Sequence, residues 1–316
     1  MSTLSLVIPL YNEENIIINS VEQIVKEMEL IPTLSSYELI LIDDGSTDMT
    51  WEKLKSLSSS YSQIQAIRLT RNFGKESALC AGLDACNTDA TIVMDGDLQH
   101  PPELIGQMVS IWQNGDVNIV EAVKKSRGEE SRFSNLSANL FYSIFTKLAG
   151  LNLKNASDFK LMDKTVLAAW KRLPEKNLFF RGMSAWVGFK RETIEFDVAK
   201  RLTGESKWGL FNLIQLALTS ITAYSSAPLH VITLLGVIFS SFSILLGSIT
   251  LFQKFSGEAV SGFTTVIILL LIIGGAIMIA LGIIGVYIAR IFNEVKNRPR
   301  YLVMESINFP EEKGPH

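Results

Sequence analysis

The chain has 316 residues, 47% of them hydrophobic and 19% charged, with a formal net charge of −3. That length allows one large domain or two smaller ones, and the slightly acidic balance excludes the strongly basic surface that nucleic-acid binding requires. Mean hydropathy is positive, +0.25, and the excess is concentrated late in the chain, where residues 229–252 and 265–289 carry no formally charged side chain.

The N-terminal run Ser2–Asn15 has no basic residue ahead of its apolar stretch, so it reads as the start of a fold and not as a signal peptide. Ser5 to Pro9 is the first predicted strand, and Pro9 ends it. Tyr11, Asn12, Glu13 and Glu14 form a loop into a helix reaching about Leu30, with acidic residues where the helix dipole favours them. Tyr37 to Ile42 is the second strand. It runs into Asp43, Asp44, Gly45, Ser46, Thr47 and Asp48, a turn with a glycine for a special backbone angle and several candidate caps for a helix near Trp51. Residues 56–62 are serine-rich and read as a connector. Ile64 to Leu69 is the third strand, followed by a basic turn, Arg71 to Lys75, and a helix carrying Cys80 and Cys86. Six apart on one helix, these two cysteines face different ways; they are expected to be reduced and buried, as in a cytosolic setting.

Thr91 to Met94 is the fourth strand, four apolar or β-branched residues in a row and so buried on both faces. It ends in Asp95, Gly96 and Asp97, with Gln99 close by, before Pro101 and Pro102 set up the next helix. Two carboxylates one residue apart at the exposed end of a buried strand suit Mg2+ or Mn2+, held by few hard oxygens with positions left open for phosphate. An ordinary acidic turn has the same composition. His100 is expected to pack or cap this loop.

Strand, loop and helix repeated four times at about 25 to 30 residues predict a mainly parallel α/β sheet. Ligands of such sheets sit at the carboxyl ends of the strands. The polar clusters after Pro9, at Asp43 and Asp44, at Arg71 to Lys75 and at Asp95 to Gln99 all fall there, which favours a site over a bland turn. No G-x-G-x-x-G follows the first strand and no G-x-x-x-x-G-K-[ST] occurs, which excludes a dinucleotide-binding fingerprint and a P-loop. A nucleotide site built from carboxylates and a metal points to a sugar nucleotide.

Residues 134–148 have a helical apolar stripe, and residues 208–224 are apolar around most of a helix; both are expected to lie at a membrane interface, with core helices as the alternative. Each uncharged stretch is long enough, at about 1.5 Å per residue, to cross a bilayer core. Gly236, Ser240, Ser243 and Gly247 make one small-residue face, and Gly275, Gly282, Gly285 and Ala289 another, for packing within a hairpin or between protomers. Arg290, Lys296, Arg298 and Arg300 follow the second span, so both termini are expected on the cytosolic side. The tail from Glu305 is expected to be disordered. The predicted organisation is a cytosolic domain at 1–228, a transmembrane hairpin at 229–290 and a cytosolic tail at 291–316.

The segments VIPLYNEE, LIDDGSTD, RNFGKESAL and VMDGDLQHPPE resemble the inverting, GT-A-type glycosyltransferases of family 2. DFKLMD from Asp158, FFRGMSAWVGF from Phe179 and RLTGESKW from Arg201, followed by two membrane spans, resemble the polyprenyl-phosphate glycosyltransferases, akin to dolichol-phosphate mannose synthases and the GtrB-type bacterial glucosyltransferases. The resemblance implies transfer of one hexose, glucose from UDP-glucose in the first instance, to undecaprenyl or another polyprenyl phosphate by a multi-pass protein of the cell membrane. A mannose or aminoarabinose-type donor is the alternative; a non-catalytic, membrane-anchored sugar-nucleotide sensor is the rival from another class. It also implies roles: Pro9, Tyr11, Glu13, Asp44, Lys75, Asp95 and Ser206 toward the donor; Asp97 and Gln99 toward the metal; Lys124 or Lys125, Arg132 and Ser137 toward the acceptor phosphate; Asp158, Arg201 and Lys207 toward the chemistry. A homo-oligomer, possibly a tetramer, is consistent with it.

A phosphate monoester has its second pKa near about 6, so the acceptor is already largely ionised at neutral pH. Asp158 is therefore expected to position groups or balance charge and not to remove a proton. Lys207 and the metal would offset the charge of the leaving diphosphate.

Overall fold

The computed structural model describes residues 2–124, 157–173, 175, 179–196, 225–256 and 262–309. The chain divides into two compact units, Met1–Leu210 with Pro299–His316, and Phe211–Arg298.

The first unit is built on eight strands. In chain order they are β1 (Ser2–Leu10), β2 (Leu34–Asp43), β3 (Ile64–Leu69), β4 (Ala90–Val93), β5 (Ile119–Lys124), β6 (Lys160–Asp163), β7 (Arg191–Phe196) and β8 (Val303–Ile307). Its helices are α1 (Ile17–Glu29), α2 (Thr50–Ser60), α3 (Lys75–Ala85), α4 (Leu104–Asn114), α5 (Lys164–Lys171) and α6 (Phe180–Trp186). The sheet order is β7-β5-β6-β4-β1-β2-β3-β8. Strands β1 to β4 are parallel neighbours, as are β5 and β7; β6 runs antiparallel between β4 and β5. This mainly parallel α/β sheet matches the expected GT-A fold, and the four predicted strand–helix repeats are β1–α1 through β4–α4.

Alternation along the strands fixes the two layers. Leu4, Leu6, Ile8 and Leu10 of β1 join Ile17, Val21 and Ile24 of α1, Trp51 and Leu54 of α2, and Ile105 and Met108 of α4 in one core. Val7 and Ile42 face the other way, onto α3. There a Cβ at Gly82 would lie 2.4 Å from Val7 Cγ1 and 2.7 Å from Ile42 Cδ1, so the helix rests directly on the sheet. Cys80 and Cys86 of this region are both unpaired and buried, and burial pushes their thiols up to about 12.

Two expectations are corrected. The serine-rich stretch is not a connector from Ser56: α2 continues to Ser60, and Ser59 and Ser60 donate their hydroxyls back to the carbonyls of Lys55 and Ser56 at 2.9 and 3.0 Å. Trp186 at the end of α6 is 57% exposed, whereas Trp170 is buried edge-on to Phe180 at 5.3 Å. The tail is ordered through β8, which pairs antiparallel with β3. Trp51 donates its indole N–H to Glu305 at 3.0 Å, and Asn308 donates to the carbonyls of Ser58 and Ile64 at 2.8 and 2.9 Å. Strand β8 covers the open edge of β3, the hazard that an unpaired strand presents. Replacing Asn308 by Ala is expected to cost about 1–3 kcal/mol, because two carbonyls lose their donor. Thermal melts in detergent check this, and an unchanged midpoint would show the tail to be ornamental.

In the second unit α7 (Ala227–Phe255) and α8 (Phe263–Val295) are apolar on all sides. Their candidate spans, Ala227–Gln253 and Ile268–Val295, have mean hydropathies of 2.2 and 2.8. Neither is buried inside the protein, as a soluble core helix would be. Among the described residues, a Cβ added at Gly236, Gly247, Gly275, Gly282 or Gly285 would meet nothing within 4 Å.

Candidate active site

The parallel order of β1 to β4 brings four strand ends to one edge. Their loops are stitched to each other before any ligand is considered. Asp44 N–H donates to Leu10 O at 2.9 Å. Asn12 N–H donates to Ser46 Oγ, Thr47 N–H to Asn12 Oδ1 and Glu13 N–H to Thr50 Oγ1, each at 2.9 Å. Gly45 has φ +67°, and a Cβ there would lie 2.4 Å from the Arg71 carbonyl carbon, so only glycine lets the second loop touch the third. Asp44, expected near the nucleoside, accepts Phe73 N–H at 2.8 Å and Gly74 N–H at 2.9 Å on its two oxygens. Burial raises its carboxyl and those two amides pull it back. Its place is beneath the Arg71–Lys75 turn, which it braces. Tyr11 is 44% exposed at the mouth of the first loop, and Pro9 lies one residue inside the end of β1.

The acidic turn leaves β4 through Met94, whose N–H donates to Val7 O. Ser20 of α1 donates to Gly96 O at 2.7 Å, tying the turn to the helix. Asp95 N–H donates to Nδ1 of His100 at 3.2 Å, and the His100 ring stacks on Phe159 with centroids 5.1 Å apart. The expected loop-packing role of His100 therefore holds, and burial lowers its basicity, keeping Nδ1 an acceptor. Leu98 sits at φ +57°, a strained angle for a bulky residue, and Gln99 N–H reaches back to Asp97 Oδ1 at 3.1 Å. The donor set is carboxylate and amide oxygen, which fits a hard divalent cation. Among the described residues no three His, Cys, Asp or Glu side chains cluster as a closed metal cage; an ion here needs oxygens from a ligand as well.

Beside the turn lies a chain of charges. Lys75, the first residue of α3, places Nζ 2.6 Å from Asp95 Oδ1 and 2.6 Å from Asp158 Oδ2. Asp158, just ahead of β6, also takes Arg181 of α6 through Nε at 2.8 Å and Nη2 at 3.0 Å. Burial alone would raise the Asp158 carboxyl; Arg181 and Lys75 outweigh it and hold it far below the usual carboxylate range. Burial alone would lower the Lys75 ammonium, and Asp95 and Asp158 hold it above the usual lysine range. Asp158 is thus ionised, with both oxygens engaged.

Glu76 accepts Phe180 N–H at 2.8 Å and is pushed up to about 7, first by burial and then by the Asp158 charge, against the pull of Lys75 and Arg181. Between its ordinary 4.5 and about 7 the folded chain keeps a proton that the unfolded chain has released, so stability falls as pH rises through that window. Glu76→Gln keeps an acceptor for Phe180 and is expected to melt higher than the parent above pH 7. The gain is at most on the order of 3 kcal/mol and closes toward pH 4.5. A gap that stays constant from pH 4 to 8 would count against the buried acid.

Of the predicted site residues, the structure brings Asp44, Lys75, Asp95, Asp97, Gln99 and Asp158 to this edge, with Pro9 near the end of β1 and Tyr11 and Glu13 on the first loop. Lys125, Arg132, Ser137, Arg201, Ser206 and Lys207, and the two predicted interfacial helices, lie outside the described residues; Lys124 is the last residue of β5. Arg181 and Glu76 were missed. Arg181 had a signal, being the one charge in the apolar run FFRGMSAW; Glu76 had none, since its partner is a backbone amide about a hundred residues away.

A mainly parallel sheet with an acidic turn and paired cations at the carboxyl edge, and no glycine cradle, defines a GT-A-type glycosyltransferase. The chain belongs to glycosyl transferase family 2, whose model matches residues 5–168. It is 39% identical over 305 residues to an uncharacterized glycosyltransferase of Synechocystis sp., covering 96% of this chain and 95% of that one. It is 37% identical over 305 residues to the SfII prophage-derived bactoprenol glucosyl transferase of Shigella flexneri, covering 96% and 98%. An uncharacterized glycosyltransferase of Bacillus subtilis is 36% identical over 304 residues, covering 96% and 93%.

Proposed function

We propose that this enzyme transfers glucose from UDP-glucose to the phosphate of a polyprenyl lipid such as undecaprenyl phosphate, at the cytosolic face of the cell membrane, with inversion at the anomeric carbon. One observation carries the reading: a strand-edge acid and cation cluster and two unburied apolar helices occur in one chain, and the likeness to a bactoprenol glucosyl transferase runs through both.

Pro9, Tyr11, Glu13, Asp95 and Ser206 would hold the donor, with Asp44 acting through the turn it braces and Lys75 through the two carboxylates it bridges. Asp97 and Gln99 would hold Mg2+ or Mn2+, which supplies Lewis-acid neutralisation of the diphosphate. Arg201 and Lys207 would close over the same charge, and Lys125, Arg132 and Ser137 would take the acceptor phosphate. The attacking oxygen arrives ionised, so Asp158 orients Lys75 and Arg181 instead of accepting a proton. The proposed organisation is a catalytic domain at 1–228, a hairpin at 229–290 and a cytosolic tail at 291–316. Pairing of β8 with β3 supports an even number of crossings, since the chain rejoins the catalytic sheet after α8. The small-residue faces of the two helices support a homo-oligomer.

Purified protein offered a panel of nucleotide sugars with and without polyprenyl phosphate is expected to release nucleotide only from UDP-glucose and only with the lipid. Release from another sugar alone would replace the donor; binding without release under every condition would leave a sensor.

A further inference from the structure

Behind Arg181 lies a second group of charges, a buried pair with an arginine at its outer edge, that the chemistry above does not use. Lys160 of β6 is 1% exposed and Glu121 of β5 is 4% exposed; they are cross-strand partners with Nζ and Oε1 3.2 Å apart. Arg191 of β7 faces the other Glu121 oxygen at 3.7 Å. Lys160 also donates to Ser184 Oγ at 2.7 Å, and that hydroxyl donates to Arg181 O at 3.0 Å. Arg191 donates through Nη2 to the carbonyls of Ser184 and Ala185 at 3.2 and 3.3 Å. The bonds from Lys160 and Arg191 to Ser184 and Ala185 all end on α6, the short helix that carries Arg181. The Lys160 ammonium further lies 5.2 Å from the Phe180 ring centre.

A seven-residue helix has too few internal hydrogen bonds to hold its own orientation. Taking two charges, Glu121 and Lys160, out of water between strands is costly, and apolar residues of similar volume serve a sheet at least as well. What the charges supply, and an apolar cluster would not, is direction: fixed donors reaching the backbone and the one hydroxyl of α6. We infer that Glu121, Lys160, Arg191 and Ser184 are positioning residues that set the angle at which Arg181 meets Asp158, and through Asp158 the place of Lys75. The inference rests on the proposed transfer reaction for its kinetic consequence and on the geometry alone for its structural one.

Two measurements test it separately. In amide hydrogen exchange, Ser184→Ala and Lys160→Met are expected to lower protection of residues 180–186 at least tenfold while β1 and β4 keep theirs; unchanged protection of α6 overturns the inference whether or not the protein turns over any sugar. In nucleotide release with UDP-glucose and polyprenyl phosphate, Ser184→Ala is expected to lower kcat about tenfold with KM for the donor within about threefold, and Ser184→Thr to recover most of the loss. On an Arg181→Ala background the same Ser184→Ala change is expected to cost less than about threefold. Equal losses on both backgrounds would make Ser184 independent of Arg181 and overturn the inference. Should Lys160→Met fail to fold, the paired change Glu121→Leu with Lys160→Met removes the buried charge altogether; recovery of both melting point and kcat in that variant would show that the charges direct nothing. If the unaltered protein releases no nucleotide, the transfer reading fails, and the exchange experiment still decides the positioning role.

Discussion

Asp158→Asn is expected to lower turnover about a thousandfold or more while leaving donor binding within about tenfold. Three short ion-pair contacts meet on this one carboxylate: Lys75 at 2.6 Å and Arg181 at 2.8 and 3.0 Å. The amide keeps the volume but presents one acceptor and one donor, and its NH2 group must point at a cation whichever way it turns. Two cations then lose the buried carboxylate that joins them. Removing one member of a buried ion pair typically costs about 3–5 kcal/mol; if half of that falls on the geometry of transfer, the rate loss is about ten- to seventyfold. The rest follows because Lys75 also holds Asp95, the first carboxylate of the acidic turn. Nucleotide release under saturating donor, beside a melting curve, checks this. Turnover within threefold of the parent, with a normal melt, would remove Asp158 from the mechanism. The same pairing fixes the pH response: a carboxyl held so far below the usual range stays ionised between pH 4 and 8, so an acidic limb of the rate profile in that range belongs to another group.

Asp97→Ala is expected to abolish most metal-dependent turnover, lowering it about a hundredfold to a thousandfold, with the fold intact. Asp97 is on the loop beyond the core, where its carboxylate accepts the Gln99 N–H at 3.1 Å, so little packing is lost. What is lost is a hard anionic oxygen beside the place proposed for the diphosphate. The loss of one oriented charge stabiliser at a leaving group is worth about 3–4 kcal/mol. Mn2+ binding measured by spin resonance, and nucleotide release with and without EDTA, separate metal affinity from chemistry. EDTA is expected to silence the parent. Full turnover of the variant in EDTA would end the metal assignment.

The first half of the fold was legible because its strands are buried on both faces and its turns are polar. Val93 and Met94 ahead of Asp95, or Ile42 ahead of Asp43, mark a strand end and a site in one stroke. The second half was less so. Strands β5, β6 and β7 alternate or carry internal charge, as Glu121, Lys160 and Arg191 show, and a buried ion pair has the same letters as a solvated one. Strand β8 is five residues with Glu305 and Ser306 among them; its order comes from pairing with a strand more than two hundred residues earlier, and no local pattern encodes that. For the site, strand ends located Lys75, Asp95 and Asp97 and the family resemblance pointed to Asp158, but the sequence could not say that Lys75 would sit between two of the carboxylates, or that Asp44 would spend both oxygens on amides.

The position of β8 in the chain has a further consequence for biogenesis. A ribosome delivers both greasy helices before residues 303–307 emerge, so the β3 edge stays unpaired until both have been made. A chain that stops short of β8 is left with an open sheet edge, the template on which strands of other chains pair. Closing the catalytic sheet is thereby a late step of synthesis, and truncated copies are expected to aggregate.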